Sequence, residues 1–498
     1  MDLPVQFPRD PYCRAGTRLM LCADAESGDV FLGLTPDGVQ PGRDMLSRLT
    51  LLRGEEPLKY TFSQEDGALV LRAECGFLRL ELGLPERLVF EGEGVSLLIG
   101  KGRSAGAFMG GGSAVDDARP GAYYVASGAR MRILPKVGSA EVRSAWNLNA
   151  LSDPDPRIVL RPDAGGRLEG AVYVSDFDCA PADEPAPEAG DEFAAFLDSL
   201  AVPAREGEAL HAAYVVWTAK QPVRALAAPQ IDAPVYISNR RDRGIARLSD
   251  NVLLAAFLAD PAEANAQLRS FLPYMDDAGL VPSQANNRTR LYEAEIPFFG
   301  AVYRARPDLK DACGEADFDA QLKALGWWRE NRFCSDRGLF YCLHRFEPGL
   351  GRRARFADSA PEFSPDLNIC LVLWIDALAD IAARLGRPVA EDLRALAEKT
   401  RAALVSKLWD GGRWRCLDIH DAPQDFECGW LAALDPSLPG RALPERVPAA
   451  YALPLLLAGG RETARALAPG LKNKEIKSLR QALTLLAAAG AERGSFSC

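Results

Sequence analysis

The sequence predicts a chain in two parts, an N-terminal antiparallel β-sandwich followed by an array of paired helices. Three observations carry this. As far as about residue 180, apolar and polar residues alternate in short runs broken by glycine, which is the period of half-buried strands. Beyond residue 195 apolar residues recur three and four apart, and proline and glycine mark the boundaries. Between them the run CAPADEPAPEAGDE at 179–192 has the composition of a linker or exposed loop. The expected division is a sandwich domain at 1–185, a linker region at 186–235 and a helical domain at 236–498. At 498 residues the chain exceeds the roughly 300 at which a single core stops growing.

In the first part the clearest hairpin is YTFSQEDGALVLRAECGFLRLEL. Asp66-Gly67 supplies its left-handed turn, and beyond it Leu78, Leu80 and Leu82 face one side while Arg79 and Glu81 face the other. The run MGGGSA at 109–114 lacks the Lys-Ser or Lys-Thr of a phosphate-binding loop and is expected to be a turn between strands. In the second part the best helix takes Ser364 as its cap and Pro365 in its first turn, and ends at Gly386. Pro388 opens another at once, with Leu393, Leu396, Leu404 and Leu408 on its apolar stripe. Similar pairs are expected near 247–276, 292–331 and 446–489, about nine or ten helices in all. Periodicity does not choose between a closed toroid and an open solenoid, since both stack helical hairpins that bury one face each.

Composition narrows the function. The chain is 48% hydrophobic and 25% charged, with no apolar run approaching the roughly 20 residues of a membrane span. Its formal charge of −10 is spread along the chain, so no basic patch proposes a nucleic-acid partner. The 11 cysteines are scattered singly, without the spacing of disulfides or zinc ligands, and most are expected to be small buried residues. The start MDLPVQFPRDPYC has no basic stretch followed by a long apolar one, and a cytoplasmic location is expected. His211, His344 and His420 lie far apart with no nucleophile or ligand spacing, so neither a metal nor a cofactor is expected.

The motifs decide between the helical architectures. In GWWRENRFCSDRGLFYCLHRFEPGLGRRARFADSAPEFSPDLN, at 326–368, paired tryptophans (Trp327-Trp328) and Asn331-Arg332 precede Glu347-Pro348-Gly349, Asp358-Ser359-Ala360-Pro361 and Asp366-Leu367-Asn368. This order resembles the six-hairpin glycosidases, especially the mannosyl-oligosaccharide glucosidase and trehalase group of family 63 and its relatives. There an Asn-Arg helix precedes an E-S-G-x-D-N-S-P-x-F loop and a D-L-N helix. The 244–303 segment is similar to that family's first hairpin, with Asp250 at the aspartate of W-x-W-D-S but without its tryptophans. KLWDGGRWRCLD is similar to the family's L-W-D-x-x-x-G-x-F-x-D. The stretches are collinear within fewer than 200 residues, and the resemblance implies an (α/α)6-type toroid, possibly incomplete, without metal or organic cofactor.

Inverting cleavage of a glycosidic bond needs one protonated carboxylic acid and one carboxylate that activates water, roughly 6.5–9.5 Å apart. The resemblance implies Asp358 as the general acid, placed shortly before Pro361 and Phe363 where desolvation would raise its pKa. A turn-forming polar loop is the bland reading of the same residues. Glu347 and Asp250 are implied to hold sugar hydroxyls, against a reading as solvated surface acids. Trp327 is the candidate for stacking on a sugar, although adjacent helical residues diverge and at least one of Trp327 and Trp328 belongs to the core.

The general base is unknown. The family's late glutamate and tryptophan-rich segment have no counterpart after Trp430, where Glu475 and Glu492 are ordinary helix-start and terminal residues. The expected function is inverting hydrolysis of an α-glucosidic or related oligosaccharide bond. The alternative is a degenerate toroid that binds carbohydrate or serves as an assembly module. A polysaccharide lyase ranks below both, because Tyr292, Tyr303 and Tyr341 carry no recognisable base-and-cation arrangement.

Overall fold

A computed structural model describes residues 3–5, 7, 10–24, 27–34, 47–84, 86–102, 110–116, 119–126, 129–143, 157–175, 188–221, 235–237, 245–285, 290–343, 347, 361–424, 427–443, 447–467, 470, 476 and 478–493. The chain divides into two compact units. The first comprises Met1–Asp198, Trp217–Pro222 and Ile237–Ile245, and the second Ser199–Val216, Val223–Tyr236 and Ala246–Cys498.

The first unit is antiparallel. Its strands are β1 (Tyr12–Cys13), β2 (Leu19–Ala23), β3 (Val30–Leu34), β4 (Ser47–Arg53), β5 (Glu56–Pro57), β6 (Thr61–Glu65), β7 (Ala68–Ala73) and β8 (Gly76–Gly83). They continue with β9 (Arg87–Glu93), β10 (Ser96–Lys101), β11 (Gly110–Asp116), β12 (Arg119–Ala126), β13 (Ala129–Val137), β14 (Ser139–Arg143), β15 (Arg157–Arg161) and β16 (Arg167–Ser175). One sheet runs β1-β2-β3-β4-β10-β15-β14 with β5 on β4, and the other runs β11-β12-β13-β16-β9-β8-β7-β6. Leu78, Leu80 and Leu82 are fully buried while Arg79 and Glu81 stay partly exposed, as the alternation requires. Asp66 and Gly67 both take positive φ, 49° and 73°, in the two-residue turn that joins β6 to β7.

The glycine run is a correction. Gly110, Gly111 and Gly112 are not a turn but the first residues of β11, paired with Val125, Tyr124 and Tyr123. Glycine content suggested a reversal, but paired backbone requires no side chain, and glycine in a strand allows close approach of a neighbour.

Two helices occupy part of the 186–235 stretch, α1 (Ala189–Asp198) and α2 (Gly207–Ala219). Most of α2 belongs to the second unit, together with α3 (Leu248–Leu254), α4 (Pro261–Arg269), α5 (Phe299–Ala305), α6 (Asp308–Ala312) and α7 (Glu315–Asn331). They continue with α8 (Pro365–Arg384), α9 (Ala390–Leu408), α10 (Ala449–Ala458), α11 (Gly460–Leu467) and α12 (Leu479–Arg493). No described helix is long and apolar enough to cross a membrane. Ser364 occupies the N-cap position of α8, but its side chain makes no cap hydrogen bond, and Asp366 and Asn368 bring the polar groups of that turn. Gly386 at φ 68° ends the helix in the left-handed conformation that favours glycine. Of the nine described cysteines, six are buried.

Helix α8 is the centre of this unit. Leu367, Ile369, Leu371, Ile375, Leu378 and Ile381 are inaccessible to solvent, and so is its polar residue Asn368. Trp374 stacks on Phe299 of α5 at 4.9 Å and 18°, and its Nε1 donates to Gln321 Oε1 of α7 at 3.0 Å. Helix α5 comes this close because residue 300 is glycine. A Cβ there would lie 2.4 Å from Trp374 N and 2.6 Å from Leu373 C, and neither backbone atom can yield without moving α8. Gly300→Ala is therefore expected to lower stability by about 1–3 kcal/mol, as overpacking does. Urea denaturation checks this; an unchanged midpoint would show that the two helices separate freely.

Candidate active site

Asp250 lies in the first turn of α3, where the positive end of the helix favours an anion. It is 4% exposed, so it is not the solvated surface acid of the bland reading. Its partner is Arg480 of α12, whose Nε donates to Asp250 Oδ1 while Nη1 donates to Ala450 O at 3.1 Å. The same guanidinium lies 5.8 Å from the centre of the Phe298 ring. Ser249 Oγ donates to Glu295 Oε1 at 2.7 Å, which brings a second carboxylate beside Asp250. Glu295 Oε2 is buried and meets no donor among the described residues. Burial raises the pKa of Glu295 above the ordinary 4.5, offset in part by the Ser249 hydrogen bond and the charge of Arg480. Asp250 adds to the rise, and Arg247 opposes it.

A second cluster grows from the end of α7. Trp327 and Trp328 are both buried, their rings edge to face at 5.4 Å. The Arg332 guanidinium covers the Trp327 ring at 4.9 Å and donates to Glu347 Oε1 at 2.8 Å. Glu347 Oε2 accepts from Leu343 N, and with 5% exposure Glu347 too is no surface acid. The two clusters meet at a cavity of about 20 Å³ whose lining includes Leu248, Glu295, Phe299, Trp327, Trp328 and Trp374. That is room for about one water molecule.

The structure thus brings Trp327 and Glu347 together, and sets the neighbour of Asp250 across a cavity from Trp327. Asp358, expected as the acid, lies outside the described residues, as do Pro348, Gly349, His344 and Glu475. Asp358 falls in sequence between the described Glu347 and Pro361, and Glu362–Phe363 directly after Pro361 pairs with Leu417–Asp418. Tyr303 is unsuited to act as a lyase base: burial holds its hydroxyl far above the usual phenol range, and the hydroxyl accepts from Gln321 Nε2 at 2.7 Å. Sequence reasoning missed Glu295 and Arg480. Glu295 lies inside the first-hairpin resemblance, and its place directly before the apolar run IPFFGAV was a usable signal; Arg480 is 230 positions from its partner and offered none.

Residues 251–475 match the family described as the mannosylglycerate hydrolase MGH1-like glycoside hydrolase domain. No curated protein matches the sequence. Among solved structures the chain is similar to a bacterial glucoamylase complexed with acarbose, with 10% identity, a TM-score of 0.59, and cover of 99% of this chain and 96% of that one. It is also similar to the family 92 inverting mannosidase of Bacteroides thetaiotaomicron, with 12% identity, a TM-score of 0.53, and cover of 93% and 71%. These likenesses establish the fold as an antiparallel β domain followed by a helical toroid.

Two outcomes test the cluster around Asp250. Arg480→Met strands a buried carboxylate and is expected to cost about 3 kcal/mol, while adding Asp250→Asn recovers part of the loss. Denaturant titration of the two single variants and the double variant reads that coupling, and strict additivity would refute it. For Glu295 the folded protein holds the proton more tightly than the unfolded chain. Stability is therefore lost as pH rises from the ordinary 4.5 through the raised folded value. Glu295→Gln is expected to melt above wild type at pH 8 and level with it at pH 4, and equal shifts at both would contradict the assignment.

Proposed function

We propose, from the similarity of residues 251–475 to the mannosylglycerate hydrolase MGH1-like glycoside hydrolase family, that the chain hydrolyses α-linked glucosides or related oligosaccharides with inversion. The match also puts a mannoside of glycerate on the list of substrates to assay. A cytoplasmic location and independence from metal and organic cofactors belong to the same proposal.

In this reading Asp358 donates its proton to the leaving oxygen while a second carboxylate deprotonates water on the opposite face of the sugar. Asp250 and Glu347 accept hydrogen bonds from sugar hydroxyls, and Trp327 backs the pocket wall. The observation that supports this best is the pairing of both carboxylates with arginines, Asp250 with Arg480 and Glu347 with Arg332. Such pairing offsets the burial of each carboxylate and fixes the direction of its oxygens, which is what acceptors for hydroxyl groups require. For the second carboxylate we assign Glu295, one oxygen of which has no hydrogen-bond partner among the described residues and which lines a water-sized cavity. A toroid that binds sugar without turnover draws on the same pairs, since both carboxylates are already engaged by protein groups.

Asp358→Asn is expected to lower kcat by about 10²–10⁴ on an α-glycoside panel that includes mannosylglycerate. Proton NMR of the first-formed anomer is expected to show inversion. Retention of configuration, or full activity in the variant, would sink the proposal.

A further inference from the structure

Beyond these clusters the second unit holds a cleft of about 660 Å³ between the segment that follows α9 and the one that precedes α10. We infer that this cleft is a subsite for a neutral pyranose unit of the substrate, resting on the glycosidase reading above. Trp409, Trp414, Arg413, Arg415, Gln424 and Glu427 are among its lining residues.

Its place follows from the connections. Five residues separate α8 from α9, so the pair is a hairpin and the chain beyond Leu408 emerges near the start of α8. There Leu417–Asp418 pairs with Glu362–Phe363, which follows Asp358 closely in sequence. The opposite wall is tied to the same turn, since Asp366 accepts from Gly429 N at 2.9 Å and Leu431 N at 2.8 Å. The cleft therefore adjoins the segment that the proposed function makes catalytic.

Its form is built. Asp410 Oδ1 accepts from Gly412 N at 2.9 Å and Arg413 N at 2.7 Å, and Oδ2 accepts from Arg415 Nε at 2.5 Å, which fixes the reversal between the two tryptophans. Trp409 and Trp414 face each other across that reversal, with ring centres 5.2 Å apart. Glycine makes the room for them. A Cβ on Gly429 would lie 2.3 Å from Trp414 Cγ, and one on Gly440 would lie 2.2 Å from Trp409 Cζ3. Trp414 is 6% exposed and its Nε1 has no acceptor among the described residues, a deficit that a hydroxyl-rich ligand or its water can fill.

The charges select the ligand class. Of the lining arginines, Arg415 pairs with Asp410 and Arg413 lies 3.7 Å from the same carboxylate, while Glu427 adds a negative charge to the lining, so the arginines are offset and do not favour an anion. Indole faces take the C–H side of a sugar ring, while guanidinium, amide and carboxylate groups hydrogen-bond its hydroxyls. The volume is in the range of small-molecule sites.

Binding is measured on the full chain carrying Asp358→Asn, by tryptophan fluorescence and calorimetry, with maltotriose, mannotriose and a glucuronic-acid disaccharide as probes. At least one neutral trisaccharide is expected to saturate. Trp409→Ala is expected to raise its Kd about tenfold or more, Trp409→Phe to keep it within about threefold, and the exposed Arg413→Ala to raise it severalfold. Binding by the acidic sugar alone, binding indifferent to Trp409 and Arg413, or no binding of either neutral sugar would overturn the subsite. Hydrolysis by the parent chain is scored separately. Trp409-dependent binding without hydrolysis keeps the subsite and removes the glycosidase reading, whereas hydrolysis with an unchanged KM in Trp409→Ala does the reverse.

Discussion

Two polar side chains with no solvent access, Asp366 and Asn368 in the first turn of α8, hold the loops around that end of the helix in place. Buried polar groups are costly unless every donor and acceptor is met, so their partners are effectively dictated. Asn368 Oδ1 accepts from Phe340 N at 2.8 Å, and Nδ2 donates to Phe340 O at 2.9 Å and Ser364 O at 2.8 Å. Asp366 accepts the backbone N–H groups of Gly429 and Leu431. One turn of helix thereby fixes the hairpin that precedes Glu347 and one wall of the Trp409–Trp414 cleft.

The first hairpin uses the same device. Asn251 is the fourth residue of α3 as Asn368 is the fourth of α8. Its Oδ1 accepts from Tyr236 N at 2.9 Å, and its Nδ2 donates to Tyr236 O at 3.1 Å and to Arg247 O at 2.9 Å, the carbonyl four residues back. Each asparagine thus clamps both backbone groups of one residue in an incoming strand while closing its own helix start. The repeat lies in hydrogen-bond geometry and helix position, which explains why stacked hairpins can share an architecture without a sequence period.

What was legible in the sequence follows from range. The Asp66-Gly67 hairpin and the α8–α9 pair are local, set by turn chemistry, capping position and apolar stripe within a few residues, and both form close to where the pattern places them. The order of Glu347, Asp250 and Trp327 was legible through motif collinearity. Their environments were not, because burial depends on distant chain: Arg480 reaches Asp250 across 230 positions. Gly440 is similar, an unremarkable loop residue until Trp409 packs against it. The glycine run at 110–112 was misread because composition reports what a backbone can do, whereas strand pairing decides what it does.

The arginine pairs divide the acidic groups by task. Asp250 and Glu347 each sit against a guanidinium, which fixes the direction of the carboxylate. Glu295 is held by a neutral serine and feels Asp250 as a like charge, so burial prevails over the nearby arginines and raises its pKa, which makes it a stronger proton acceptor once ionised. The two kinds of carboxylate thus differ in what holds them, an arginine for Asp250 and Glu347 and a serine for Glu295. Placing them on one short turn of α3 and the segment before α5, with Ser249 as the link, achieves the contrast because Arg480 reaches one carboxylate and only partly compensates the other.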